Sequence, residues 1–160
     1  MATLQKCMDS RIGPLYLAAS ERGLQAVWWH DLGLQEALEP TSPQLPILQA
    51  AETQLTEYLE GKRQHFDLPL DAEGTPFQQK VWGELQHIPY GTTRSYKEIA
   101  VALADEKACR AVGTANGRNP LSIVVPCHRV IASNGTLAGY SGGLALKQKL
   151  LALEQQGTLP

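Results

Sequence analysis

At 160 residues the chain has room for one ordinary domain or two small ones. It contains no run of about 18 apolar residues, and its first ten residues lack the apolar centre of a secretory signal, so no membrane span and a cytoplasmic location are expected. The net charge of −2 divides unevenly: residues 1–74 hold five Lys/Arg against eleven Asp/Glu (−6), and residues 75–160 hold nine against five (+4). Such a split points either to a polyanionic partner for the second half or to charges clustered by chance on solvated faces.

In chain order, Ile12 to Ala19 and Leu24 to Trp29 read as two strands joined by the turn Ser20-Glu21-Arg22-Gly23. Asp31 to Pro46 is rich in Pro and Gly and reads as a loop. Ile47, Leu48, Ala51, Leu55, Tyr58 and Leu59 then recur at helical spacing, with Gly61 as the stop and a short strand expected near Phe66. Asp71 to Gly74 is a polar joint, which predicts domains over 1–71 and 75–160. Thr75-Pro76-Phe77-Gln78 is a capping box with proline in the first turn, and Phe77, Val81, Leu85 and Ile88 mark one helical face. Ser95-Tyr96-Lys97-Glu98 is a second capping box. Asp105-Glu106 is expected to break that helix and cap the next, Lys107 to Asn116, giving a helix-turn-helix.

This third helix is built of small residues: Ala108, Ala111, Gly113, Thr114 and Ala115. A glycine inside a helix costs about 1 kcal/mol against alanine. Close helix packing and close backbone approach to a ligand such as a nucleic-acid groove both account for Gly113. Leu121 to Val125 is a β-branched run and reads as a buried strand, with Val130 to Ala132 as another short extended piece. Asn134-Gly135 and Tyr140 to Gly143 read as turns, and Leu146, Leu150 and Leu153 as the buried stripe of a last helix.

Cys7, Cys109 and Cys127 are too few and too scattered for a disulfide framework, and the four histidines do not form a zinc pattern. No metal is expected. Pro126-Cys127-His128-Arg129 closes the expected strand, where proline ends the ladder and bends the chain. A thiol is nucleophilic as thiolate, and imidazole or cations favour that form. Neighbouring residues on a strand face opposite ways, so a bend or a bridging water is needed to couple His128 to the Cys127 sulfur.

The run Asn119-Pro120-Leu121-Ser122-Ile123-Val124-Val125-Pro126-Cys127-His128-Arg129-Val130-Ile131 resembles the signature of the O6-alkylguanine-DNA alkyltransferases. The likeness extends to Gly74-Thr75-Pro76-Phe77, Ser95-Tyr96, Arg110-Ala111-Val112-Gly113, Gly139-Tyr140-Ser141-Gly142-Gly143, Lys147 and Glu154, covering residues 74–155. It implies an α+β protein: a small N-terminal α/β domain of ribonuclease H-like type, then a winged-helix-like helix-turn-helix domain that carries the reactive cysteine.

The resemblance also implies direct transfer of an alkyl group from O6-alkylguanine in double-stranded DNA to Cys127, with O4-alkylthymine left open as a second substrate. The damaged nucleotide is turned out of the duplex, the protein reacts once, and no cofactor is needed. Arg110 fills the vacated place, while Ala111, Gly113 and Thr114 let the helix lie in a minor groove only about 6 Å wide. Ser95 and Arg118 are further DNA contacts. His128 acts as base through a water and is oriented by Glu154; Asn119 braces the turn; Tyr96 protonates guanine N3. Val125, Pro126, Tyr140, Ser141 and Gly142 form the base pocket, with the Ser141 N–H aimed at O6 and carbonyls near Val125 and Cys127 reading the guanine amino group. A monomer is the expected unit, with cooperative binding along DNA left open.

Three features depart from the family pattern. Asp105-Glu106 places two carboxylates in the interhelical turn, Cys109 stands beside Arg110 where alanine is common, and Gly83 replaces a larger pocket-side residue. Two rivals are a turnover hydrolase using a Cys–His pair and a DNA-binding relative that senses damage without repairing it. The second carries another residue, often tryptophan, at position 127. A plain helix-turn-helix regulator leaves the pocket motif without a use.

Overall fold

In the computed structural model, which describes residues 2–160, the chain divides between Glu73 and Gly74. The expected hairpin forms as β2 (Leu15–Ala19) and β3 (Leu24–Trp28), but a further strand, β1 (Leu4–Met8), pairs antiparallel with β2 to give the order β1-β2-β3. Leu15, Leu17 and Ala19 share one buried face, as the period of two requires, and Ala18 is buried on the other. Helix α1 (Gln44–Leu59) packs on this sheet through Leu48, Ala51, Leu55 and Tyr58. It starts inside the segment expected to be loop, because Pro46 sits in the first turn, where a missing N–H leaves nothing unbonded. Gly61 ends it with φ 76° and an N–H to Tyr58 O at 3.0 Å.

The strand expected near Phe66 does not form. Its ring packs 5.4 Å from that of Tyr58, and Gln54 clamps the Asp67 main chain, accepting from its N–H at 2.9 Å and donating to its carbonyl at 3.0 Å. Side-chain bonds have taken the groups that a ladder would need.

The second half is mostly helical. Helix α2 (Pro76–Leu85) has the expected box, Thr75 and Gln78 each capping the other's N–H. Gly74 lies flush on Trp82; a Cβ there would stand 2.5 Å from the indole ring. Strand β4 (Arg94–Ser95) runs into α3 (Tyr96–Ala102) through the Ser95–Glu98 box. Asp105-Glu106 does not cap the next helix. The turn is instead made by Ala104 at φ 60° and by the Asp105 N–H donating to Ala100 O at 2.9 Å, and the Asp105 side chain makes no cap bond. A 3-10 turn (Glu106–Ala108) then leads into α4 (Cys109–Gly117), which packs on α2 and α3. After the Cys127 region, β5 (Val130–Ile131) pairs parallel with β4, and α5 (Leu144–Gln156) closes the chain.

The buried stripe of α5 is rotated from the expected one. Lys147, Leu150, Leu153 and Glu154 face inward, and Leu146 is only half-buried. No helix among the described residues is long and apolar enough to cross a membrane.

Candidate active site around Cys127

Leu121 to Val125 is buried but is not a strand. Pro120 and Pro126 lack the N–H groups that a ladder requires, and the residues between them bond locally: Val124 N–H to Ser122 O and Val125 N–H to Leu121 O, both at 2.9 Å. Asn119 fixes this coil from inside. Its amide donates to Val125 O at 2.8 Å, and its oxygen accepts from Leu121 N–H at 3.0 Å. Ile123, almost fully buried, takes φ 73°, a left-handed conformation that costs a β-branched residue about 1–3 kcal/mol. The coil delivers the chain into a 3-10 turn, Cys127–Arg129.

This turn places His128 and Arg129 on Glu154 of α5. His128 Nε2 lies 2.7 Å from Glu154 Oε2, and Arg129 donates to both carboxylate oxygens at 2.8 and 3.0 Å. The Gly91 N–H adds a fourth bond at 3.2 Å, which fills the acceptor capacity of a carboxylate. Arg129 also donates to Ile88 O at 2.7 Å and lies over the Tyr90 ring. Burial alone would raise the Glu154 pKa, but the bonds from His128 and Arg129 prevail and hold it down at about 2. His128 is fully buried, and desolvation lowers its pKa against the opposing pull of Glu154, so the imidazole is neutral near pH 7. Because an ionised carboxylate only accepts, the hydrogen sits on Nε2 and the lone pair on Nδ1.

Cys127 is 3% exposed. Burial pushes its thiol up to about 11, opposed by a hydrogen bond from Asn119 and by the charge of Lys147. The resting sulfur is therefore protonated, and a base must take its proton for attack. Lys147, also buried, donates to Val130 O and at 3.1 Å to Ala138 O, tying the chain on both sides of the Asn134 turn. Burial lowers its pKa, partly offset by Cys127. The Tyr140 ring meets the His128 ring edge-on at 6.5 Å, and its phenol is held well above the usual value by burial and then by Cys127. Tyr96 is half-buried and its phenol is raised by the same two causes. Ser141 Oγ stands 3.4 Å from Ser122 Oγ, joining the Tyr140 loop to the coil.

The residues expected at DNA lie mostly on α4. Arg110, Ala111 and Thr114 are exposed on one side, and Arg118 is exposed just past the helix end. A Cβ on Gly113 would meet the Tyr96 ring at 3.8 Å, an ordinary contact, so packing alone does not demand a glycine there. Ser95 is different: it is buried, and its hydroxyl accepts the Glu98 N–H. The Val125 carbonyl already takes bonds from Asn119 and from Cys127 N–H, both at 2.8 Å, which occupies its two lone pairs. Pro126 leads into the 3-10 turn and Gly142 is half-buried in the Tyr140 loop. Arg129, Lys147 and Ser122, which carried the family likeness without an assigned role, belong to this cluster, as does Asn116, which did not stand out in the sequence. The available signal was a polar residue at a core position, since Lys147 lies three residues before Leu150 on the buried stripe. Among the described residues no group of three or more His, Cys, Asp or Glu is placed to hold a metal.

The 6-O-methylguanine DNA methyltransferase family matches this chain in both halves: its ribonuclease-like domain over residues 4–72 and its DNA binding domain over residues 76–156. The methylated-DNA–protein-cysteine methyltransferase of Methanosarcina barkeri is 46% identical over 151 residues, covering 92% of this chain and 94% of the relative. The constitutive enzyme of that name from Bacillus subtilis is 45% identical over 154 residues, with 92% of each covered. Among solved structures, the Mycobacterium tuberculosis OGT in complex with DNA is similar at a TM-score of 0.87 and 42% identity, covering 97% of this chain and 94% of that one. The O6-methylguanine DNA methyltransferase of Methanococcus jannaschii is similar at 0.68 and 26%, with 97% and 96% covered.

Proposed function

Because the chain belongs to the 6-O-methylguanine DNA methyltransferase family, whose members repair DNA by direct transfer of a methyl group to a protein cysteine, we propose that its acceptor is Cys127. DNA is its partner. The reading rests above all on one observation: the fully buried His128 has its Nε2 2.7 Å from Glu154 Oε2, one residue from the buried Cys127 thiol.

In this reading a water relays the Cys127 proton to His128 Nδ1 as the sulfur attacks the alkyl carbon. The C–S bond forms while the carbon–O6 bond breaks. The electron pair passes to the guanine, which takes a proton at N3 from Tyr96. Glu154 keeps the imidazole in its basic tautomer and balances the positive charge that develops on it. The imidazolium proton then returns through water to the Tyr96 phenolate, so atoms and charge close without an oxidant.

The product is a thioether that water does not cleave, so each molecule acts once. The exposed small-residue face of α4 enters the minor groove, and Arg110 occupies the space of the everted nucleotide. Tyr140, Ser141, Gly142 and Pro126 enclose the base, and Asn119 holds the coil behind it. Both bonds to Val125 O are short, 2.8 Å, whereas Cys127 O holds one of its donors, Asn116, at only 3.4 Å, so the guanine amino group is read by the Cys127 carbonyl. The acting unit is a monomer in the cytoplasm.

Titration with excess O6-methylguanine duplex tests this. Repair is expected to stop at one equivalent per protein; continued turnover would instead favour the hydrolase reading.

A further inference from the structure

Two asparagines three residues apart sit at the C-terminal end of α4, and the structure uses them unequally. Asn119 spends both ends of its amide on the coil, at 2.8 and 3.0 Å. Asn116 is 4% exposed, and its Nδ2 makes one long bond, 3.4 Å, to the Cys127 carbonyl. Its Oδ1 is buried with no hydrogen-bond partner among the described residues. Leaving a buried acceptor unsatisfied costs about 1–3 kcal/mol. An apolar side chain of similar volume would avoid that cost. A residue that breaks local rules without a structural return marks a functional position.

The carbonyl it touches is the informative part. Cys127 O already accepts the Val130 N–H that closes the 3-10 turn. Asn116 is its second donor, and this hydrogen bond ties that carbonyl to the helix bearing Arg110, Ala111 and Thr114 on its outer side. We propose that Asn116 is a positioning residue which aims the Cys127 carbonyl at the guanine amino group, coupling the seating of α4 on DNA to selection of the base. The inference rests on the Cys127 reading above. At 3.4 Å the Nδ2 bond orients the carbonyl before the base arrives and is weak enough for the oxygen to be shared with the incoming amino group.

The test compares single-turnover rates on duplexes carrying O6-methylguanine or O6-methylhypoxanthine, which lacks the 2-amino group, for wild type, Asn116→Leu and Asn116→Ala. Wild type is expected to favour the guanine substrate. Both variants should narrow that preference by about three- to tenfold, the worth of one hydrogen bond, through loss on guanine alone. The hypoxanthine rate should change less than about twofold, and Asn116→Leu should melt no lower than wild type, since it removes an unsatisfied group. Equal loss on both duplexes would reduce Asn116 to a structural part and overturn the proposal. If wild type itself shows no preference while still transferring one methyl to Cys127, the carbonyl is not the reader; the proposal then falls and the acceptor assignment stands.

Discussion

Glu154→Gln is the substitution whose consequences the structure fixes most fully. The carboxylate accepts four bonds: two from Arg129, one from His128 and one from Gly91. Glutamine keeps the shape but presents an NH2 group to donors, stranding a buried guanidinium. Breaking such a pair by neutralising one partner costs about 3–5 kcal/mol. The depressed carboxyl gives a second route to the magnitude. A fall from 4.5 to about 2 corresponds to about 3 kcal/mol of stability at neutral pH. For a chain of this length, each kcal/mol shifts the melting point by about 2–4 °C, so a drop of about 6–20 °C is expected.

The sign with pH follows. Between about pH 4.5 and 2 the unfolded chain binds the proton and the folded one does not, so acid removes the stabilisation. Calorimetry from pH 7 downward should show a full gap between wild type and variant above about pH 5 that closes toward pH 2. A neutral-pH loss below about 1 kcal/mol, or a gap indifferent to acid, would refute the reasoning.

Other substitutions probe separate parts. Cys127→Ser should abolish methyl transfer while leaving duplex affinity within about twofold, as measured by fluorescence anisotropy. Arg110→Ala, at an exposed site, should slow reaction with duplex by more than about tenfold and with free O6-methylguanine base hardly at all; equal losses would remove its role in eversion. Gly74→Ala forces a methyl to 2.5 Å from the Trp82 ring and should lower stability by about 1–3 kcal/mol in denaturant melts. An unchanged midpoint would mean that the indole gives way freely.

What the sequence discloses is what local chemistry decides. Both capping boxes, Thr75–Gln78 and Ser95–Glu98, form as read because each needs only four consecutive residues. The Gly61 stop is of the same kind. Strand β1 was hidden because its buried positions include Gln5, kept inside by bonds to Asp31 and Leu34 rather than by apolar surface. The run Leu121–Val125 has strand composition, but flanking prolines and the two bonds of Asn119 impose a coil that no propensity reveals.

The site follows the same division. Cys127, His128 and Glu154 stand out through their motif. Lys147 and Arg129 belong to the same motif, but their burial was not legible, since long charged side chains read as surface until a tertiary partner is known. Ser95, by contrast, is legible as a cap, and its buried hydroxyl is spent there.

The central claim is that one sulfur becomes alkylated for good. Intact mass spectrometry after incubation with O6-methylguanine duplex, followed by peptide mapping, tests it most directly. Each molecule should gain a single methyl group, located on the peptide containing Cys127. An unmodified protein beside repaired DNA, or a methyl group on Cys7, Cys109 or any other residue, would contradict the account.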